Sequence, residues 1–168
     1  VFLIAWLALF KPYQKARIMT FINPTADIRG SGYNAYQSVI AVGSGGVLGK
    51  GFGYGTQSRL NYLPEYETDF IFAAYAEEWG LIGAMVIIVS FGVLLWRIVL
   101  HAKFGASNFE TFFCVGYAIA LFTHVIINIG MNIGIMPVTG IPLPFMSYGG
   151  SHLLGECIGL GMILSMAR

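Results

Sequence analysis

Charge is what this sequence has least of. Only 10% of its 168 residues are Asp, Glu, Lys or Arg, while 57% are hydrophobic. A soluble domain carries about 25% charged residues, so this chain cannot cover a water-facing surface. The mean hydropathy of +0.73 agrees. Basic blocks are also missing. With a formal net charge of +1 and no Lys/Arg cluster to trace a phosphate backbone, no nucleic-acid partner is expected. Cysteine is scarce. Cys114 and Cys157 sit in apolar segments and read as packed thiols, from which neither a disulfide nor a metal site is inferred. The chain opens at Val1 inside an apolar run, with neither a Met nor a signal-peptide n-region, and reads as a fragment.

What is present in quantity is long apolar sequence, and it predicts an all-α, polytopic membrane helix bundle. Residues 1–10 are too short to span, since about 20 residues are needed, and read as the end of a truncated helix. Residues 69–100 are long enough to span with tilt. Residues 111–155 contain no Asp, Glu, Lys or Arg but are too long for one crossing. Pro137, Pro142 and Pro144, with Gly140 between them, remove backbone donors and break the run. The predicted spans are therefore 69–100, 111–135 and 151–167, the last short and Gly-rich, as close helix packing requires.

A long loop, residues 11–68, precedes the first full span. Within it, residues 33–49 are apolar enough to enter the membrane interface but too short and Gly-rich to cross. A re-entrant or interfacial segment is expected, with its broken backbone satisfied by protein or water. The glycines around Lys50 (Gly49, Gly51, Gly53, Gly55) could bring N–H groups and one ammonium to an anion, or could form a flexible surface turn. A nucleotide P-loop is excluded. Ser44 stands where its first Gly belongs, and Gly51 replaces the Ser/Thr that binds magnesium.

Asp69 lies where this polar loop meets the apolar run. An ionisable residue at such a mouth is costly unless paired, hydrated or used; it marks either a water boundary or a site. Glu77 falls within about a quarter turn of the Asp69 face at 3.6 residues per turn, and either lines the same cavity or caps an internal pair with a cation. Glu78 is nearly opposite. His124, Asn128 and Asn132 repeat every four residues and share one helical face, as packing contacts or as substrate contacts. Glu156 has no evident partner.

The ordered motifs across nearly the whole chain resemble the SEDS family (shape, elongation, division and sporulation) of membrane-embedded peptidoglycan glycan polymerases. The resemblance rests on Lys11-Pro12-Tyr13-Gln14, Asn23-Pro24, Gly30-Ser31-Gly32-Tyr33-Asn34 and Gly43-Ser44-Gly45-Gly46. It continues through Gly49-Lys50-Gly51, Gly55-Thr56-Gln57, Leu63-Pro64-Glu65 and Thr68-Asp69-Phe70-Ile71-Phe72-Ala73. It ends with Pro137-Val138-Thr139-Gly140-Ile141-Pro142-Leu143-Pro144-Phe145 and Ser147-Tyr148-Gly149-Gly150-Ser151. Val138-Thr139-Gly140 with Met146 is more similar to the elongation member than to the division member. His152 departs from the pattern, which more often has a small residue there.

The resemblance implies a bacterial cytoplasmic (inner) membrane protein of about ten helices, with residues 11–68 as an extracytoplasmic loop and the active site on the outer face. A raw count of Lys and Arg places the same loop inside, a count that weakens as loops approach about 60 residues. The implied reaction transfers a lipid-linked growing glycan from undecaprenyl pyrophosphate to the 4-hydroxyl of lipid II, with inversion. The implied partner is a class B penicillin-binding protein, a transpeptidase. Asp69 matches the catalytic position, and a carboxylate in reach of a sugar hydroxyl can remove its proton as the bond forms. Lys50, Arg17 and Lys11 are the candidates for the pyrophosphate, with Gln57, Ser147 and Ser151 as further substrate contacts. Glu65, Glu77, His124 and Asn128 are candidate cavity-lining residues. No cofactor is evident, though a divalent cation, Mg²⁺ or Mn²⁺, could serve the leaving group. Two other classes stay open: a lipid II flippase, and a scaffold of the cell-wall synthesis complex.

Overall fold

The computed structural model describes residues 11–22, 31–56, 67–105 and 107–166. They form five helices: α1 (Pro12–Ile22), α2 (Ser31–Gly45), α3 (Ile71–Lys103), α4 (Asn108–Asn132) and α5 (Gly150–Met166). No strand occurs among the described residues. The expected helix end at residues 1–10 and the candidates Gln57 and Glu65 lie outside them.

Helices α3 and α4 are long and apolar enough to cross a membrane. A short turn joins them, so they pack as antiparallel neighbours. Ser107 starts α4: its hydroxyl accepts the Glu110 N–H at 3.3 Å, and Ser-x-x-Glu is the pattern of a capping box. Ile87, Phe91, Leu121 and Val125 are buried between elements, while Val89, Val93, Trp96, Ile119 and Phe122 face outward. Apolar residues on both faces are what a lipid-bathed helix needs. Helix α5 closes on α4 through Gly159. A Cβ there would lie 2.4 Å from the Tyr117 ring, so only glycine admits the contact.

Three boundaries differ from the sequence reading. Residues 31–45 form a regular helix, α2, packed on α3 with Ser38 and Ala41 fully buried. Helix α4 stops at Asn132 rather than 135. Gly134 takes φ +78°, its N–H donates to Met131 O, and Ile135 N–H donates to Gly130 O at 2.8 Å; this is a Schellman stop.

The third difference is a break inside α3. Gly80 sits at φ 66°, ψ −161° and separates Ile71–Trp79 from Leu81–Lys103. The break frees the carbonyls of Glu77 and Glu78 and the N–H groups of Leu81 and Ile82. The glycine loop after α2 takes up all four. Lys50 and Gly51 N–H donate to Glu77 and Glu78 O at 3.0 Å, and Leu81 and Ile82 N–H donate to Gly46 and Val47 O at 2.9 and 3.3 Å. Freed backbone groups at membrane depth persist only when re-satisfied in this way. The crossing is close: a Cβ on Gly49 would meet Glu78 O at 2.1 Å.

Candidate active site

Asp69 stands in a turn, residues 67–70, that leads into α3. The helix has no side-chain cap of its own at Phe70, although its first N–H groups need partners. Asn132 supplies one from α4: its Oδ1 accepts the Ala73 N–H at 3.1 Å. Because that bond requires the oxygen, the amide nitrogen faces the other way, and it donates to Asp69 O at 3.1 Å. Asn128 Nδ2 donates to the same carbonyl at 3.0 Å and to Ile141 O at 2.9 Å. Both asparagines are fully buried.

The two preceding carbonyls are held as well. Ser147 Oγ donates to Thr68 O at 2.6 Å and accepts the Leu143 N–H. Tyr148 N–H donates to Glu67 O at 2.8 Å. Three consecutive carbonyls are thus anchored by the end of α4 and the proline loop. The Asp69 carboxylate lies against that loop: a Cβ on Gly140 would be 3.4 Å from its Oδ2. Gly140 also takes φ +76°, which other residues rarely adopt.

Arg17 of α1 reaches the same loop, its Nη1 donating to Thr139 O at 2.6 Å. It stands at an apolar cavity of about 210 Å³ lined by Tyr36, Val39, Met131 and Val138 among others. Thus Asp69 and Arg17 flank one short loop, touching adjacent residues of it.

Other candidates are placed elsewhere. Lys50 pairs with Glu77 at 2.6 Å, and Thr56 gives that carboxylate an N–H at 2.9 Å and a hydroxyl at 2.8 Å. Glu77 is therefore the acid of an internal ion pair, its cation coming from the glycine loop. Lys11 is exposed beside the start of α1. His124 and Ser151 line a separate cavity between α4 and α5. Thr139 and Gly140 carry the geometry around Asp69 without being among the candidate site residues, and Asn132, read as a packing or a substrate contact, joins them through bonds to backbone. The signal for Asn132 was its four-residue spacing from Asn128.

The match to known proteins follows this architecture. The family model described as "Cell cycle protein" (FTSW_RODA_SPOVE) covers residues 1–168. The chain belongs to the FtsW/RodA/SpoVE family. It is 44% identical over 163 residues to peptidoglycan glycosyltransferase MrdB of Escherichia coli (strain K12), covering 97% of this chain and 44% of that protein. Stage V sporulation protein E of Bacillus subtilis (strain 168) is 44% identical over 162 residues, with 96% and 44% covered. Among solved structures, one on the coordination of polymerization and crosslinking by a peptidoglycan synthase complex matches with a TM-score of 0.77 at 32% identity, covering 98% of this chain and 44% of that one. A mutant of the Thermus thermophilus rod shape determining protein RodA matches with a TM-score of 0.58 at 27% identity, with 99% and 56% covered. The chain spans less than half the length of the curated relatives it matches. Fold and family are thus those of the helical FtsW/RodA/SpoVE membrane proteins.

Proposed function

We propose that this chain carries the catalytic end of a peptidoglycan glycan-strand polymerase of the elongation type. Lipid II donates its 4-hydroxyl, and the growing glycan leaves its undecaprenyl pyrophosphate with inversion. Asp69 is the general base. The observation that carries this reading is the anchoring of residues 67–69 through three carbonyls, which holds the Asp69 backbone while its carboxylate faces the proline loop. A base acts only within hydrogen-bond reach of its proton, and a fixed backbone supplies that reach without further ordering.

The leaving pyrophosphate needs positive charge. Arg17 takes the leading part, because it already lies on the loop that Asp69 touches, beside an apolar cavity suited to the first isoprene units. Lys50 is a weaker candidate than its glycine setting suggests, since Glu77 balances its charge. A divalent cation such as Mg²⁺ or Mn²⁺ suits a site with one carboxylate, because such ions are held by one or two carboxylates plus substrate phosphates. It would supply charge neutralisation to the leaving group. The active site faces the outer side of the cytoplasmic membrane, and the partner is a class B transpeptidase. That partner reading draws support from the likeness to a structure concerned with polymerization and crosslinking together.

Purified full-length protein supplied with lipid II, and with its transpeptidase partner present, should make polymeric glycan. Movement of lipid II across vesicles with no glycan formed would overturn the reading in favour of a transporter.

A further inference from the structure

The second polar cluster lies between α4 and α5, away from the Asp69 loop contacts. His124 of α4 meets His152 and Glu156 of α5. Each offers one ligand atom, and these atoms lie within 4.8 Å of one another. His152 and Glu156 are one turn apart on the same helix face, and the two imidazoles meet edge to face at 5.4 Å. Two atoms in the cluster are buried without a hydrogen-bond partner among the described residues: His152 Nε2 and Glu156 Oε1. They are 3.2 Å apart but not aligned for a hydrogen bond. The other carboxylate oxygen, Oε2, accepts the Phe145 N–H at 2.8 Å, which fixes the plane of the group. Glu156 is only 6% exposed, and a buried ionisable side chain in an apolar helix calls for a compensating charge or a use.

We propose that His124, His152 and Glu156 form a divalent transition-metal site of the zinc class. Two neutral imidazoles and one carboxylate are an ordinary zinc donor set, with a water as fourth ligand. Imidazole donors disfavour Mg²⁺ and Ca²⁺, which take oxygen. Ligand atoms around a tetrahedral zinc are roughly 3.3 Å apart, from bonds of about 2.0–2.2 Å. The His152–Glu156 edge already has that spacing at 3.2 Å, and the remaining ligand atoms lie within 4.8 Å. The adjoining cavity of about 240 Å³, lined by Tyr117, Leu121 and Ser151 among others, has room for the ion and its water. The ion would join α5 to α4 at a point beyond their contacts at Gly159 and Tyr117 and the packing of Ile163 with Ala118 and Leu121. Phe145, held by Glu156, sits at φ +58° two residues before Ser147, so the clamp also braces the loop that anchors Thr68. The site is independent of the transferase reading.

The test uses the full-length chain in detergent, stripped with a chelator and titrated with Zn²⁺ alone or Co²⁺ alone. One ion per chain, a tetrahedral Co²⁺ visible spectrum and a thermal midpoint raised by Zn²⁺ are expected. His152→Ala and Glu156→Gln should each weaken Zn²⁺ at least about tenfold, the lower limit for disturbing even an outer partner of a metal. His152→Cys should keep binding and add a thiolate-to-cobalt charge-transfer band, which guards against a variant that merely fails to fold. Wild-type protein without stoichiometric Zn²⁺, or variants that bind as wild type does, would overturn the proposal and leave His152 as a packing neighbour of Glu156.

Discussion

The ammonium of Lys50 lies 2.6 Å from Oε1 of Glu77, whose side chain has no solvent exposure. One end of this pair is in the glycine loop and the other is in α3, three residues before the Gly80 break. Beside it run the four backbone bonds that repair the break. The pair thus fastens the loop to the only interrupted helix among those described.

Lys50→Ala should therefore act first on stability. Removing one partner of a buried pair costs roughly 3–5 kcal/mol, and the low end applies because the Lys50 side chain is 28% exposed. Lys50→Met with Glu77→Gln should be more stable than the two single losses added together, read by thermal unfolding in detergent. Strict additivity would mean the pair contributes nothing as a pair. Arg17→Ala, by contrast, should leave stability near wild type and lower polymerisation about tenfold to a hundredfold, the loss of one charged hydrogen bond of roughly 1.5–3 kcal/mol. Wild-type turnover would return Arg17 to a structural role.

Asp69→Asn keeps the size of the side chain and its backbone bonds but removes the base. Glycan synthesis from purified lipid II should fall by about 10²–10⁴ while the transpeptidase partner still binds. Glu67→Gln, two residues away in the same turn, should do much less. Equal losses would indicate a diffuse electrostatic effect, and unchanged synthesis by Asp69→Asn would falsify the general-base assignment.

Asn132→Leu tests whether the anchoring matters to catalysis. It removes the bonds to Ala73 N–H and Asp69 O together, leaving the Ala73 donor without that partner while Asn128 still serves the Asp69 carbonyl. About 1–3 kcal/mol of stability should go for the donor left unsatisfied. The turnover number should fall with little change in KM for lipid II, because position rather than contact is lost. A change in KM alone would argue that Asn132 touches substrate.

Gly49→Ala and Gly80→Ala should both be strongly destabilising. Their φ angles are +80° and +66°, and each Cβ would enter opposing backbone at 2.1 and 2.3 Å. Gly43→Ala, in α2 with open space around its Cβ, should instead gain about 0.5–1 kcal/mol from helix propensity. Melting temperatures of the three variants decide this, and a tolerant Gly80→Ala would mean that the break in α3 is not required.

Topology has its own measurement. In a background lacking Cys114 and Cys157, a cysteine replacing Tyr54 (70% exposed) should react with an impermeant thiol reagent outside intact spheroplasts. One replacing Phe104 (84% exposed) should react only after the membrane is opened. The reverse pattern would vindicate the raw count of positive residues and remove the outward-facing active site.

The sequence by itself determined the solvent, the family and the outline of the bundle. These follow from quantities that need no partner: too little charge to face water, uninterrupted apolar length, and prolines that remove donors. The family motifs also pointed to Asp69 and to the proline loop. The Schellman stop at Gly134 was legible in principle, since Gly followed by Pro137 is a common helix ending, and the break at Pro137 drew the boundary too late. Only the tertiary structure decided how Glu77 is used. Helical spacing allowed two answers, and the choice between them was made by a loop twenty-seven residues earlier that brings Lys50 alongside. The break at Gly80 was hidden for the same reason. A glycine in an apolar run usually continues the helix, and what makes interruption tolerable is four backbone partners from another segment. Likewise, Asn128 and Asn132 could be placed on one face from their spacing, but that they would grip the Asp69 carbonyl depended on where α3 begins. Composition and period act along the chain. Hydrogen-bond satisfaction in a membrane acts across it, so the site could be assembled only once the segments were in place.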